Sequence, residues 1–377
     1  MKARDYFPHG KAYGRAFCNR TTETEWLSGN IRAGKHSLLV APRRFGKSSL
    51  AEQAVKKTEL PVTQLNFNTC SDEYDIEVLL RQGVSNLIGK VVGSIEKIVN
   101  SIKSYVSNLT PKIVLGQDSL HLELNPKQKK PPALNVEEVL SLMDKILAEK
   151  NQHAIMLFDE FQTVGLIAKG HGVEAAIRNI AQNMTHLVII FSGSNRSLLK
   201  SMFENEARPL YKLCRKLYLK RIAEQHYQKH INKAAKLAWN EKLSDLVFTK
   251  IMLLSERHPY YVNYLCDTIW SECKTLPKIT NVEKAWNIVI EEEKSDANAE
   301  IARLSLGQRK VLKYIANNPN DNLMSSEVVR SIGLALSSIA GAIAALSEKD
   351  IIEKQNRGYS IINPIITFLL KRDGLVD

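Results

Sequence analysis

The stretch "SLLVAPRRFGKSSLAEQAV", residues 37–55, decides how this chain is read. An apolar run ends in a small residue, Ala41, crosses a short loop, and opens a helix at Gly46-Lys47-Ser48. A loop that binds phosphate needs converging backbone N–H groups, a helix N-terminus behind them, a lysine for charge and a hydroxyl for Mg²⁺. Lys47 and Ser48 stand where the lysine and the hydroxyl belong, and Gly46 permits a tight turn into the helix. The usual pattern G-x-x-x-x-G-K-S/T begins with glycine where this chain has Ala41, and a small side chain suffices there if φ is negative. Pro42, Arg43, Arg44, Phe45, Gly46, Lys47, Ser48 and Ser49 are therefore the expected cradle. A strand–turn–helix that binds nothing is the competing reading.

Two further strand ends weigh against that competitor. "HAIMLFDEF" is an apolar strand ending in Asp159-Glu160, about 110 residues after the loop. In phosphoryl chemistry an acid at such a strand end orders the Mg²⁺ shell, and a glutamate beside it polarises the attacking water as a general base. "HLVIIFSGSNRSLL" ends in Ser192-Gly193-Ser194-Asn195, at the carboxyl edge where open α/β sheets bind ligands. Ser194 or Asn195 is placed to sense a terminal phosphate or orient water; an ordinary polar turn with a helix cap at Ser197 explains the same residues.

The wider pattern supplies the fold class. "KHSLLVAP", "PVTQLNFNTC", "HAIMLFDEF", "HLVIIFSGS" and "RKLYLKRI" are apolar on both faces and alternate with amphipathic segments such as 47–57, 137–150 and 172–183. They predict an α/β core, with a parallel sheet and helices on both faces, over residues 1–222. An insertion at about 91–134 interrupts the rhythm with a helical piece (94–108), a hairpin-like "KIVLGQDSLHLEL" and the breaker "NPKQKKPPAL". Residues 223–299 read as a helical lid ending in "EEEKSDANAE". Residues 300–377 read as a winged helix-turn-helix, with helices at 305–317, 325–332 and 336–348 followed by "IIEKQNRGYSII".

Composition bounds the partners. The five cysteines form no C-x-x-C pair, so neither a disulfide framework nor a zinc site is indicated. With no apolar run near the roughly 18 residues a membrane span requires, a soluble cytoplasmic protein without a membrane is expected. The net charge of +12 points to a nucleic-acid partner or to solubility plus phosphate binding. Residues 1–60 hold 12 Lys+Arg against 5 Asp+Glu, and residues 200–240 hold 10 against 3.

"FCNRTTETEWL", "APRRFGKSSL", "IMLFDEFQ", "IIFSGS", "MFENEARPLY" and "RHPYYVNYLC" occur in an order that resembles prokaryotic P-loop ATPases of the archaeal-ATPase group. That group lies in the STAND branch, related to the AAA+ ATPases. The resemblance covers nearly the whole chain and implies an ATPase core, a helical lid and a DNA-binding-like tail, with ATP and Mg²⁺ as cofactors. It implies that Asn19-Arg20 replaces a Gly-Arg pair near the adenine, asparagine being the next best residue at positive φ. It implies that Pro259 packs near the adenine, and it offers Arg208 and Arg215 as γ-phosphate contacts, a surface basic cluster being the competing reading. An oligomer is compatible with it.

Weaker constellations carry less. His226 and His230 lie one helical turn apart without a third ligand, and read as exposed helix histidines. Cys266, Cys273, Tyr261, Tyr264 and Trp270 read as packing. The presumed recognition helix, "SSIAGAIAALSEKD", has no Arg, Asn or Gln to read base edges. Lys349, Lys354 and Arg357 lie beside it, but residues 304–377 hold only 9 basic against 7 acidic residues. Double-stranded DNA held with weak sequence preference, or a protein docked on the winged helix, are the partners this tail allows. The sequence predicts a slowly hydrolysing ATP switch: Lys47 and Ser48 at the phosphates and Mg²⁺, Asp159 at the Mg²⁺ shell, Glu160 as base, and Ser194 sensing the terminal phosphate or orienting water. A DNA-remodelling or loader ATPase and a non-hydrolysing nucleotide-binding module are the rivals.

Overall fold

The computed structural model describes residues 5–92, 109–115, 120–126, 130–319 and 321–372. The chain divides into two compact units. One holds Thr21–Ala41 and Leu50–Leu219; the other holds Met1–Arg20, Pro42–Ser49 and Lys220–Asp377.

The first unit is built on a five-stranded parallel sheet: β1 (Ser37–Val40), β2 (Val62–Asn66), β5 (Ala154–Asp159), β6 (Leu187–Gly193) and β7 (Arg215–Tyr218), in the order β2-β5-β6-β1-β7. Each corresponds to one of the five apolar runs. Burial follows position in the sheet. The interior strands β1 and β6 are buried along their whole length, while the edge strand β2 alternates and the opposite edge, β7, exposes Arg215 and Tyr218. A basic, short edge strand is a poor template for unwanted pairing.

Around the sheet lie α1 (Thr21–Arg32), α2 (Lys47–Lys56), α3 (Glu73–Val92), α4 (Pro132–Glu149), α5 (Gln162–Ile167), α6 (Gly172–Ala181) and α7 (Arg196–Glu204). Helix α2 crosses from one unit to the other at Ser49/Leu50. The buried faces of α3 and α4 close one continuous core with β5, β6 and the rings of Phe67, Phe158, Phe161, Phe191 and Phe203. The carboxylate of Asp144 accepts the backbone N–H groups of Thr185, His186 and Leu187, which fixes where β6 begins. Inside the expected insertion, β3 (Leu109–Leu115) and β4 (Leu120–Pro126) form an antiparallel hairpin with Leu115 opposite Leu120. The helical piece expected at 94–108 lies outside the described residues. Helix α4 starts at Pro132, five residues earlier than its amphipathic stretch indicated, because proline is well tolerated in the first helical turn.

The second unit is helical: α8 (Glu224–Trp239), α9 (Asp245–Ser255), α10 (Pro259–Glu272), α11 (Ile279–Ala302), α12 (Leu306–Asn317), α13 (Ser326–Ile332), α14 (Leu336–Glu348) and α15 (Pro364–Arg372), with the hairpin β8 (Ile352–Lys354)–β9 (Tyr359–Ile361). The acidic stretch 291–300 does not end the helical region. It is the middle and end of α11, since Glu, Lys and Ala all favour helix and nothing in it breaks one. The boundary expected at 299/300 thus falls inside a helix.

The three helices expected at 305–317, 325–332 and 336–348 are α12, α13 and α14, each fixed by local chemistry. Ser305 and Gln308 form a reciprocal capping box at α12. The Ser325 hydroxyl caps α13, and Gly333 ends it at φ 68°, a conformation that favours glycine. One apolar core runs from Tyr6 and Phe7 through Tyr227, Val262 and Trp286 to Ile315, Ile343 and Ile366.

Candidate nucleotide-binding site

The loop after β1 has the backbone an anion site requires. Arg44 and Gly46 sit at φ 63° and 86°, on either side of Phe45, so left-handed residues punctuate the turn and gather its N–H groups. Ala41 is not among the residues with positive φ, so a small side chain serves where glycine is usual. Helix α2 opens at Lys47, so its N-terminal end, the end of a helix that favours anions, lies at the same loop. Lys47 is buried and donates from Nζ to the Pro42 carbonyl at 3.1 Å, folded across its own loop. Ser48 is the following residue, and the Ser49 hydroxyl accepts the Ala12 N–H at 2.9 Å, pinning the N-terminal segment to the loop.

Asn19 and Arg20 both adopt positive φ, at 57° and 65°, which explains an asparagine in place of glycine. Arg20 is 5% exposed and reaches the Phe45 carbonyl at 3.5 Å. Pro259 is the first residue of α10, behind His258. The His258 ring packs edge-on against Phe45 at 4.8 Å and against Tyr261 at 5.0 Å. Burial, then Arg221 and Arg44, push its pKa down to about 3, so the ring is neutral. Its Nδ1 is buried without a hydrogen-bond partner among the described residues.

Arg44 carries a network of its own. Its guanidinium donates to Glu293 at 3.1 Å and lies 4.0 Å over the Tyr260 ring. Glu293 also accepts the hydroxyls of Tyr260 at 2.9 Å and Tyr261 at 3.1 Å. Burial, then the bond to Glu293, raise the Tyr260 pKa to about 12. Nothing local in the sequence announces Glu293, His258 or this pairing.

At the carboxyl edge of the sheet, Asp159 ends β5 opposite Asn66 of β2. Its Oδ1 accepts the Ser192 hydroxyl at 2.6 Å, and its Oδ2 faces the Gln64 amide at 3.5 Å. Glu160 follows at φ 52°. Its Oε2 accepts the Ser194 hydroxyl at 2.7 Å, the Ser194 N–H at 3.3 Å and the Gln162 side-chain amide at 2.5 Å. Glu160 and Ser194, two separately expected site residues, are in direct contact, and both this contact and the Gln162 partner were missing from the sequence reading. The Gln162 Oε1 is buried with no partner among the described residues, a burial that costs about 1–3 kcal/mol.

Asn195, not Ser197, caps α7: its side chain accepts the Leu198 N–H at 3.0 Å. Arg208 forms a buried pair with Glu174, and Arg215 lies on the exposed edge strand β7. His230 is not an exposed helix histidine but is 9% exposed, with Nε2 3.3 Å from the Tyr6 carbonyl.

Among the described residues, no group of three or more His, Cys, Asp or Glu side chains is arranged to hold a metal ion. Mg²⁺ needs no such group, since it is commonly held by one or two protein ligands, phosphate oxygens and water. Ser48 and Asp159 each carry an oxygen of the hard type that Mg²⁺ takes. Among the described residues, no single helix is long and apolar enough to cross a membrane.

Residues 298–372 match a family described as "Probable winged helix domain". No curated protein matches the chain. Among solved structures, the Walker-type ATPase of Pyrococcus abyssi is similar over 97% of this chain and 99% of its own, at 16% identity and a TM-score of 0.70. The ORC2 protein of Aeropyrum pernix, solved as ADPNP and ADP complexes, is similar over 100% of this chain and 99% of its own, at 13% identity and a TM-score of 0.58. The ORC1 protein of Aeropyrum pernix, solved in complex with DNA, is similar over 100% of this chain and 97% of its own, at 14% identity and a TM-score of 0.51. The fold is that of the archaeal Walker-type ATPases, a parallel α/β core with a C-terminal winged helix.

Proposed function

We propose that this protein binds ATP with Mg²⁺ and hydrolyses it slowly, as a STAND/AAA-like switch whose helical lid and winged helix respond to the bound nucleotide. The observation that carries the reading is the loop itself: buried β1, left-handed Arg44 and Gly46, then Lys47 and Ser48 opening α2. ATP supplies the transferable phosphoryl group and Mg²⁺ neutralises charge on it. Lys47 meets the phosphates, with Pro42, Arg43, Phe45, Gly46 and Ser49 contributing loop backbone. Ser48 and Asp159 hold Mg²⁺, Glu160 takes a proton from the attacking water, and Ser194 fixes the Glu160 carboxylate. Asn19, Arg20 and Pro259 border the base. Arg44 belongs to the same loop, its side chain engaged with Glu293.

A DNA-remodelling or loader ATPase is the second reading, favoured by the net charge of +12. The exposed residues of α14 are Leu336, Ser337, Ser338, Gly341, Ala344 and Glu348, with no Arg, Asn or Gln to read base edges, so contact with phosphates or with a protein is the role it supports. ATP hydrolysis measured with and without double-stranded DNA across a salt series tests both readings. Turnover without DNA supports the switch, and turnover that requires DNA supports the loader. Tight binding without turnover in either condition leaves a nucleotide-binding module and overturns both.

A further inference from the structure

We infer that Gln162 is the positioning residue for the catalytic carboxylate of Glu160, and that Gly193 is glycine to make room for it. The inference rests on the reading of Glu160 as general base.

Three donors converge on one oxygen of Glu160: the Gln162 amide at 2.5 Å, the Ser194 hydroxyl at 2.7 Å and the Ser194 N–H at 3.3 Å. The short amide contact fixes how Gln162 is turned, because the reverse orientation would set two oxygens against each other. That choice leaves the Gln162 Oε1 buried and unpaired. A structural glutamine would turn to satisfy both ends of its amide; this one satisfies the carboxylate and leaves its own oxygen bare.

The sheet makes space for the arrangement. A Cβ on residue 193 would lie 1.9 Å from the Gln162 Oε1 and 3.1 Å from Leu199. Gly193 does not have a positive φ, so its glycine answers to space and not to backbone conformation. Glu160 itself sits at φ 52°, strained for a residue with a side chain, and backbone strain of this kind persists where the surroundings fix it.

The chemistry follows. Three hydrogen bonds to Oε2 hold that oxygen of the carboxylate in place. A carboxylate gripped at one oxygen cannot swing, so its proton-accepting edge is held at one angle toward water. Gln162 acts through Glu160 and touches no reacting atom.

The test uses the full chain. Gln162→Met keeps length and packing but removes the donor; kcat should fall by about tenfold while KM for ATP stays within about twofold. Gln162→Glu replaces the donor by an acceptor against the Glu160 carboxylate, so kcat should fall at least as far as in Gln162→Met, with KM for ATP again within about twofold. Gly193→Ala should reproduce the kcat loss by displacing Gln162. A Gln162→Met enzyme with wild-type or higher kcat, beside an inactive Glu160→Gln control, overturns the inference while leaving the base intact. Wild-type turnover by Glu160→Gln overturns the base assignment and the inference with it.

Discussion

Arg44 of the phosphate loop and Glu293 of α11 are joined across 249 residues of sequence by a hydrogen bond of 3.1 Å. The two ends of this pair are not equivalent. Arg44 is about half exposed, with its side chain at 49%, whereas that of Glu293 is at 13% and serves two tyrosine hydroxyls as well. Removing the arginine loses one partly screened ion pair, worth about 1 kcal/mol or less. Removing the glutamate strands three donors.

Glu293→Ala should therefore unfold at lower urea than Arg44→Ala, although both break the same bridge. Parallel urea titrations check the order. Equal midpoints would mean that the tyrosines find other partners.

Lys47→Ala should abolish ATP binding without unfolding the chain, because it removes the charge that meets the phosphates. Calorimetry reads the affinity and circular dichroism the fold. Wild-type affinity in the variant would dismiss the loop as the site.

Glu160→Gln should retain ATP and lose turnover by about 100-fold, the scale of losing a general base. Single-turnover hydrolysis with preloaded ATP separates this from weakened binding. A wild-type rate would pass the role to another residue.

His258 predicts a pH effect of definite sign. Its pKa falls from 6.5 to about 3 on folding, so between those values the unfolded chain binds more protons than the folded one. Stability then rises with pH across that window, and is lost as pH falls from 6.5 toward 3. His36 and His230 are lowered by burial too and act in the same direction. His258→Phe should flatten the dependence in part, measured as unfolding free energy against pH. An unchanged slope would show that His258 titrates normally.

For DNA, the charge and the bland α14 predict binding driven by counterion release, steep in salt and nearly blind to sequence. Replacing Lys349, Lys354 and Arg357 together by alanine should weaken binding by less than about tenfold at low salt. Titrations with unrelated duplexes at two salt concentrations decide it. A strong preference for one duplex, lost in the triple variant, would assign reading to the wing.

The parts of this fold legible in the sequence are those with local causes. The strands announce themselves as runs apolar on both faces, and the loop by glycine, lysine and serine at fixed spacing. The capping box at Ser305–Gln308 and the left-handed Gly333 mark where α12 begins and α13 ends. What was not legible is set by contacts between distant segments. Ser49 meets Ala12, Arg44 meets Glu293, and Phe45 meets His258, none with a spacing that pattern reading can detect. Gln162 is the intermediate case. It stands two residues from Glu160 and within a quoted motif, but its role depends on a glycine from another strand.

Arg221 has a consequence for how freely the tail can be exchanged. Its guanidinium donates to the Glu256 carbonyl on one side and to the Ile361 and Ile362 carbonyls on the other, at 3.3 and 3.0 Å, and pairs with Glu353 at 3.3 Å. Together with the unbroken α11 and the shared apolar core, this welds the winged helix to the helices before it. A protease that cuts near residue 300 would have to unwind a helix first, and would release no intact wing. Grafting another winged helix onto this chain at that point would likewise replace one half of a shared apolar core, so the tail and the lid are inherited as one piece.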